Sequence, residues 1–204
     1  MDIDLVMAGT HYRGTVSEVP TEEPGRVITF AQQDDRWRGD TMGDTRQTIG
    51  GMGCAMTCAA MVLSQVQPLT NPGDFNRILN ADGGYNVYGG TEAHLAWDRL
   101  PAIFPELVWD GRKSWRRNLY AAEVEAVLDM IDEAPLILWV DFRPATSRLD
   151  THFVLATAYD AERADVLIHD PWEGVTDWLL ERYGGDRYRS LAAVIWGYRR
   201  LRCR

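Results

Sequence analysis

A chain of 204 residues with 46% hydrophobic side chains can bury a sizeable core and suits one domain, or one domain with an N-terminal extension. The formal charge of -9 and a pI near 4.9 argue against nucleic acid or an anionic membrane surface as a partner. Three cysteines, an odd number without zinc-ligand spacing, exclude a disulfide framework and imply reduced thiols with no metal or other cofactor.

The first residues, M-D-I-D-L-V-M-A-G, are acidic before a very short apolar patch, so they do not read as a secretory signal, and no stretch has the apolar length of a membrane span. The expected location is the cytosol or the interior of an assembly such as a phage-like particle. Residues 1–26 mix Gly14, Pro20, Pro24 and Gly25 with charge and read as an extension or linker, T-E-E-P-G being a turn. A domain is expected over 27–204. It opens with a short β-prone run, Val27 to Phe30, followed by Q-Q-D-D-R-W, where Gln32 and Gln33 enter a polar loop anchored by Trp37.

Gln47 to Leu63 reads Q-T-I-G-G-M-G-C-A-M-T-C-A-A-M-V-L. Gly50, Gly51 and Gly53 break regular structure and let the backbone approach a substrate, while Ala55 to Leu63 favours a helix. Cys54 therefore belongs at a loop-to-helix junction, where unpaired N–H groups favour negative charge on its sulfur. A cysteine is equally a space-filling core residue, so Cys54 alone does not decide between nucleophile and packing. A glutamine about twenty residues ahead of such a cysteine has an amide able to donate to an oxyanion.

Beyond it, Thr70 or Asn71 caps a helix with Pro72 at its first position and Phe75, Ile78 and Leu79 on one face. The segment A-D-G-G-Y-N-V-Y-G-G reads as loop, without the lysine ending that a phosphate cradle needs. T-E-A-H-L-A-W-D-R-L reads as a helix with His94 near its start, a surface or packing histidine. Val124, Val127, Leu128 and Ile131 repeat at helical spacing up to Pro135. Then come three close antiparallel strands, P-L-I-L-W-V-D-F, T-H-F-V-L-A-T-A-Y and A-D-V-L-I-H-D, a helical turn in T-D-W-L-L-E-R-Y, and a last strand S-L-A-A-V-I-W-G-Y-R-R. The arginine clusters at 112, 116 and 117 and at 199, 200, 202 and 204 read as solvated surface.

A thiol nucleophile needs a base, and two histidines lie in the strand region. His152 opens a strand after a polar loop, at an edge facing a cleft, and Asp170 on the neighbouring strand can reach it; His169 ends that strand facing the other way. Cys58, one turn beyond Cys54, reads as core, and Cys203 as an exposed tail thiol. Trp37, Trp139, Trp172 and Trp196 read as core and cleft wall.

Taken in order, Q-Q-D-D-R-W, T-I-G-G-M-G-C-A-M-T-C-A-A-M-V-L, T-H-F-V-L-A-T-A-Y-D and V-L-I-H-D-P-W-E-G resemble the papain-like cysteine peptidases related to the bacteriocin leader-processing (double-glycine) peptidases. The resemblance covers Phe30 to about Gly174. It implies an α+β papain-like fold, with N-terminal helices carrying the cysteine packed on an antiparallel sheet carrying the histidine and aspartate. It also implies Cys54 as nucleophile, His152 as base, Asp170 as the residue orienting it and Gln32 as oxyanion donor, with Gln33 the other candidate. Ala158 stands where the family often has glycine, and the residues before Val27 and the segment 85–115 have no counterpart, so specificity is expected in these two segments. The implied activity is cleavage of a peptide or amide bond in a peptide or protein substrate through a thioester. The alternatives are an acyltransferase or transglutaminase-like enzyme, or a non-catalytic peptide-binding or particle module.

Overall fold

The computed structural model describes residues 2–7, 10–15, 25–146 and 149–204. Strands β1 (Asp2–Met7) and β2 (Thr10–Thr15) pair as an antiparallel hairpin within what the sequence marks only as an extension. Most of the expected T-E-E-P-G turn lies outside the described residues. Val27 to Phe30 is not a strand; the segment is irregular, with Ile28 N–H donating to Ser64 Oγ at 2.9 Å.

A short helix α1 (Ile49–Met52) leads through Gly53 into α2 (Cys54–Ser64). Thr48 Oγ1 caps α1 by accepting from Gly51 N–H at 3.2 Å. From Met56 to Ser64 every residue of α2 is buried, because small and apolar side chains surround it on all sides and it lies inside the domain. Helix α3 (Pro72–Ala81) starts as expected, with Asn71 Oδ1 accepting from Asp74 N–H at 3.0 Å and Phe75 and Leu79 buried.

The next segment differs from its sequence reading. Strands β3 (Tyr85–Tyr88) and β4 (Glu92–Leu95) form a hairpin where loop and helix are expected. Gly89 and Gly90, at φ +57° and +69°, supply the turn, and Ala93 and Leu95 are buried while Glu92 and His94 are exposed, a period of two. A 3-10 turn (Trp97–Arg99) and α4 (Leu100–Ile103) then lead to β5 (Leu107–Ser114).

Helix α5 (Ala121–Glu133) follows, its Glu123 carboxylate accepting from Tyr120 N–H at 3.0 Å. Then come β6 (Leu136–Asp141), β7 (Thr151–Asp160), β8 (Asp165–Asp170) and β9 (Val175–Trp178). Helices α6 (Leu179–Tyr183) and α7 (Leu191–Val194) precede β10 (Gly197–Cys203). The expected last strand thus begins later than its hydrophobic run, whose Leu191 to Val194 portion is helical. Cys203 is not an exposed tail thiol: it closes β10, half-buried, with Sγ donating to Val62 O at 3.2 Å.

Six strands form one antiparallel sheet in the order β5-β10-β6-β7-β8-β9. Strand alternation sends Ile137, Leu155 and Leu201 to a core shared with α2, α3 and α4, and Leu138, Val140, Val154, Val166 and Ile168 to a second core under α5, α6 and α7. The architecture is α+β, with the cysteine helix on one face of an antiparallel sheet that carries the histidine and aspartate, compatible with the papain-like fold.

Candidate active site

Cys54 is the first residue of α2, half-exposed on the wall of a cavity. Gly53 is needed there for packing: a Cβ at Gly53 would lie 2.4 Å from Ile49 O, so only glycine lets the chain turn from α1 into α2. At position 50 a Cβ would press on Arg38 O at 3.0 Å. The glycine run that the sequence offers as a backbone approach to substrate is occupied by the protein's own backbone at these two positions.

His152 is not at an edge. Strand β7 is flanked by β6 and β8, and the ring is 3% exposed. Leu155 pairs with His169, so Asp170 sits on the same sheet face as His152, one diagonal step away. His152 Nε2 lies 2.8 Å from Asp170 Oδ1, and the Cys54 sulfur is near enough to favour the protonated ring. With Nε2 committed to the carboxylate, Nδ1 is the atom left to face sulfur. Phe142 and Tyr183 fix the ring's sides, at centroid separations of 4.8 and 5.7 Å.

Asp170 is fully buried and every oxygen is used. Oδ1 also accepts from Trp172 N–H at 2.9 Å, while Oδ2 accepts from Tyr183 Oη at 2.6 Å and from Arg182 Nε. Burial works against both charged partners. The hydrogen bond to Asp170, and after it the neighbouring Cys54 sulfur, nevertheless push the His152 pKa up to about 9. Burial likewise opposes the Asp170 carboxylate, but hydrogen bonding and charge from His152 hold it below the ordinary carboxylate range. Burial, then the charge of Asp170, pushes Tyr183 well up, so its hydroxyl stays a donor.

The other two thiols are of a different kind. Cys58 is fully buried, donating to Phe153 O at 3.4 Å, and burial pushes its pKa well up. Burial, then Glu106, pushes Cys203 to about 11. His169 points away from Cys54, its Nδ1 2.5 Å from Thr29 Oγ1 and 3.3 Å from Thr176 Oγ1.

Gln32 is 2% exposed, and its backbone N–H donates to Pro171 O at 2.6 Å, tying the glutamine loop to the residue after Asp170. Its Nε2 donates to Gly50 O at 3.0 Å and more weakly to Ile49 O at 3.4 Å, and its buried Oε1 has no partner. Gln33 Nε2 reaches the same Gly50 O at 2.5 Å. Both glutamines thus lie against the α1 backbone leading to Cys54.

The cavity beside Cys54, of about 510 Å³, is walled by Met42, Met56, Tyr85, Trp97, Trp139 and Phe153 and reaches Arg112 and Arg199. Trp37 is core, 3% exposed. Trp172 packs edge-on against Phe142 at 4.9 Å, and Trp196 edge-on against Tyr188 at 6.1 Å. Residues 85–115, where specificity is expected, supply much of the cavity wall. Phe142, Arg182 and Tyr183, which buttress His152 and Asp170, carry no motif of their own. The last two stand in a stretch whose visible signal is only a helical turn. Among the described residues no cluster of histidine, cysteine, aspartate or glutamate could hold a metal ion, and no helix is long and apolar enough to cross a membrane.

Comparison with curated proteins and with solved structures returns no match. A family model, Peptidase_C39 like family, matches residues 26–195, which take in both glutamines, Cys54, His152 and Asp170. With that match covering most of the chain, from Arg26 ahead of the glutamine loop to Ile195 just short of β10, the chain belongs to the Peptidase_C39 like family.

Proposed function

We propose that the protein is a cysteine peptidase that cleaves a peptide bond through a thioester at Cys54. The observation that carries the reading is His152, held at 2.8 Å by a fully buried carboxylate and favoured in its protonated form by the neighbouring half-exposed Cys54. The Cys54 thiol passes its proton to His152 Nδ1 and the sulfur attacks the scissile carbonyl, forming the C–S bond. His152 Nδ1 gives a proton to the leaving amine as the C–N bond breaks. It then takes one from water, which attacks the thioester and releases the acid and the thiol. Asp170 keeps Nε2 protonated and the ring in place throughout.

The oxyanion falls to Cys54 N–H, a first-turn donor with no partner inside its own helix, and to Gln32 Nε2, whose weaker contact with Ile49 O leaves a hydrogen to redirect. No cofactor enters these steps. The substrate is a peptide or protein. The test is incubation of the native protein and Cys54→Ala with a proteome-derived peptide mixture, read by mass spectrometry. New peptide ends with the native protein and none with the variant, at matched thermal stability, are expected. Identical cleavage by both would overturn the reading. Adducts with added glycine amide replacing free acids would assign the enzyme to acyl transfer, and no products at all to a binding module.

A further inference from the structure

Past Cys54 the cavity continues to the outer strands of the sheet, where β10 sets Arg199 directly opposite Arg112 on β5. Like charges opposed across an antiparallel pair repel. The chain has 30 acidic residues against 21 basic ones, so carboxylates are plentiful, and the arginines beside this pair find them. Arg200 takes Glu133 and Asp110, and Arg202 takes Asp110 at 2.6 Å. Arg112 and Arg199 have no carboxylate partner among the described residues.

Arg199 is held in place without being neutralised. Its Nη1 donates to Tyr198 O at 2.8 Å, and its guanidinium lies 5.3 Å from the centroid of the Phe153 ring. Its Nε is buried with no acceptor, and so is the indole Nε1 of Trp139, on the adjacent strand and in the wall of the same cavity. Buried donors without acceptors cost stability, and the half-buried charge of Arg199, opposite the exposed Arg112, adds to that cost. An acceptor bearing negative charge would relieve both. Glu92, the carboxylate among the lining residues, sits on the β3–β4 hairpin with His94 Nε2 at 3.3 Å. Burial, then the charge of Arg112, pulls Arg199 down to about 10, as expected of a cation short of a counter-charge.

We propose that this end of the cavity is a specificity subsite in which Arg112 and Arg199 bind a carboxylate of the peptide substrate, from an acidic side chain or from the chain end. The inference rests on the reading that a peptide lies in this cavity for attack by Cys54. Arginine suits the task, because its planar fork meets both oxygens of a carboxylate. The second arginine cluster departs from the sequence expectation of solvated surface, because Arg199, Arg200 and Arg202 are half-buried, whereas Arg112, Arg116 and Arg117 are exposed as expected.

The experiment uses bromoacetyl peptides of one to three residues, which alkylate Cys54 with loss of bromide. Each is made in three forms: free C-terminal carboxylate, fully amidated glutamine peptide, and C-terminally amidated glutamate peptide. The measured quantity is the ratio of alkylation rates, acid over amide, for the native protein and for Arg112→Gln and Arg199→Gln. Charge-assisted pairing predicts a ratio of at least about tenfold in the native protein for one acid form, which names the source of the carboxylate. It should collapse toward one in both variants and persist in Arg200→Gln. A native ratio near one for both acid forms, or an advantage surviving both substitutions, would overturn the subsite. Alkylation needs only an accessible thiol, so peptidase activity retained by Cys54→Ala would sink the catalytic reading and leave this measurement standing.

Discussion

Arg182 and His152 grip opposite oxygens of one buried carboxylate: His152 Nε2 holds Asp170 Oδ1 at 2.8 Å, and Arg182 Nε holds Oδ2. The carboxylate therefore serves two cations when His152 is protonated. Arg182 also pairs with Glu173 at 2.6 Å, so it ties Asp170 to the turn that follows β8.

The arginine draws on the same negative charge that stabilises the imidazolium. Replacing it with methionine should raise the His152 pKa and move the alkaline limb of the peptidase pH profile upward. It should also cost about 3 kcal/mol of stability, because a fully buried charge loses a partner. Arg182→Lys should restore the stability in part. Urea denaturation and pH profiles of the three proteins check this, and an unmoved alkaline limb in Arg182→Met would show that the arginine does not tune the histidine.

The two shifts around Asp170 define a pH window for folding. His152 is raised from the ordinary 6.5 to about 9, so its contribution is complete below about 6.5 and fades as pH rises through 9. Asp170 is depressed, so its contribution is present above the ordinary carboxylate range and fades as pH falls through its folded value. Stability from urea denaturation should therefore hold between about pH 5 and 6.5 and fall on either side, by an amount on the order of a few kcal/mol. Asp170→Asn should flatten the fall at alkaline pH. Histidine NMR of Cys54→Ala should show a lower His152 pKa, because the neighbouring Cys54 sulfur is one of the causes that raise it.

Cys54, His152 and Asp170 are legible in the sequence because each stands at a signal with a local cause: a glycine-flanked helix start, a strand opening and a strand end before proline. The α2 and α3 helices and the central strands β6, β7 and β8 are legible for the same reason. The β3–β4 hairpin is not, since E-A-H-L-A-W over so few residues satisfies a helical pattern as well as an alternating one, and only the positive φ of Gly89 and Gly90 decides. The Arg112–Arg199 pair is illegible because strands far apart in sequence become neighbours only through the order β5-β10-β6. Cys203 is misread because the chain end is a paired strand here, not a tail.

The two glutamines separate by what each touches. Both donate to Gly50 O, but only Gln32 also reaches Ile49 O, and only Gln32 is buried. Gln32→Ala should lower kcat by about 10²-fold with little change in KM, the loss expected of an oxyanion donor. Gln33→Ala should stay within about threefold of the native kcat, since it leaves that donor in place. Equal losses from the two would mean that both act only by bracing the α1 backbone, and would remove Gln32 from the oxyanion role.

A second buried carboxylate governs the loop beside His152. Asp141, fully buried at the end of β6, accepts from Asp150 N–H at 3.0 Å and Arg143 N–H at 3.3 Å through Oδ1. Through Oδ2 it accepts from Tyr188 Oη at 2.8 Å and Arg187 Nη1 at 3.4 Å. It thus clasps both ends of the β6–β7 connection, whose Phe142 packs on the His152 ring. An asparagine would turn its N–H2 toward donors on one side or the other, so Asp141→Asn should cost about 3 kcal/mol, whereas Tyr188→Phe, which removes one donor, should cost about 1 kcal/mol. The same Asp141→Asn change should lower kcat several-fold by loosening Phe142, with the His152 pKa read by NMR as the discriminating measurement. A drop in stability with kcat and the imidazole titration both unmoved would make the Asp141 clasp a matter of folding alone, with no hold on the site.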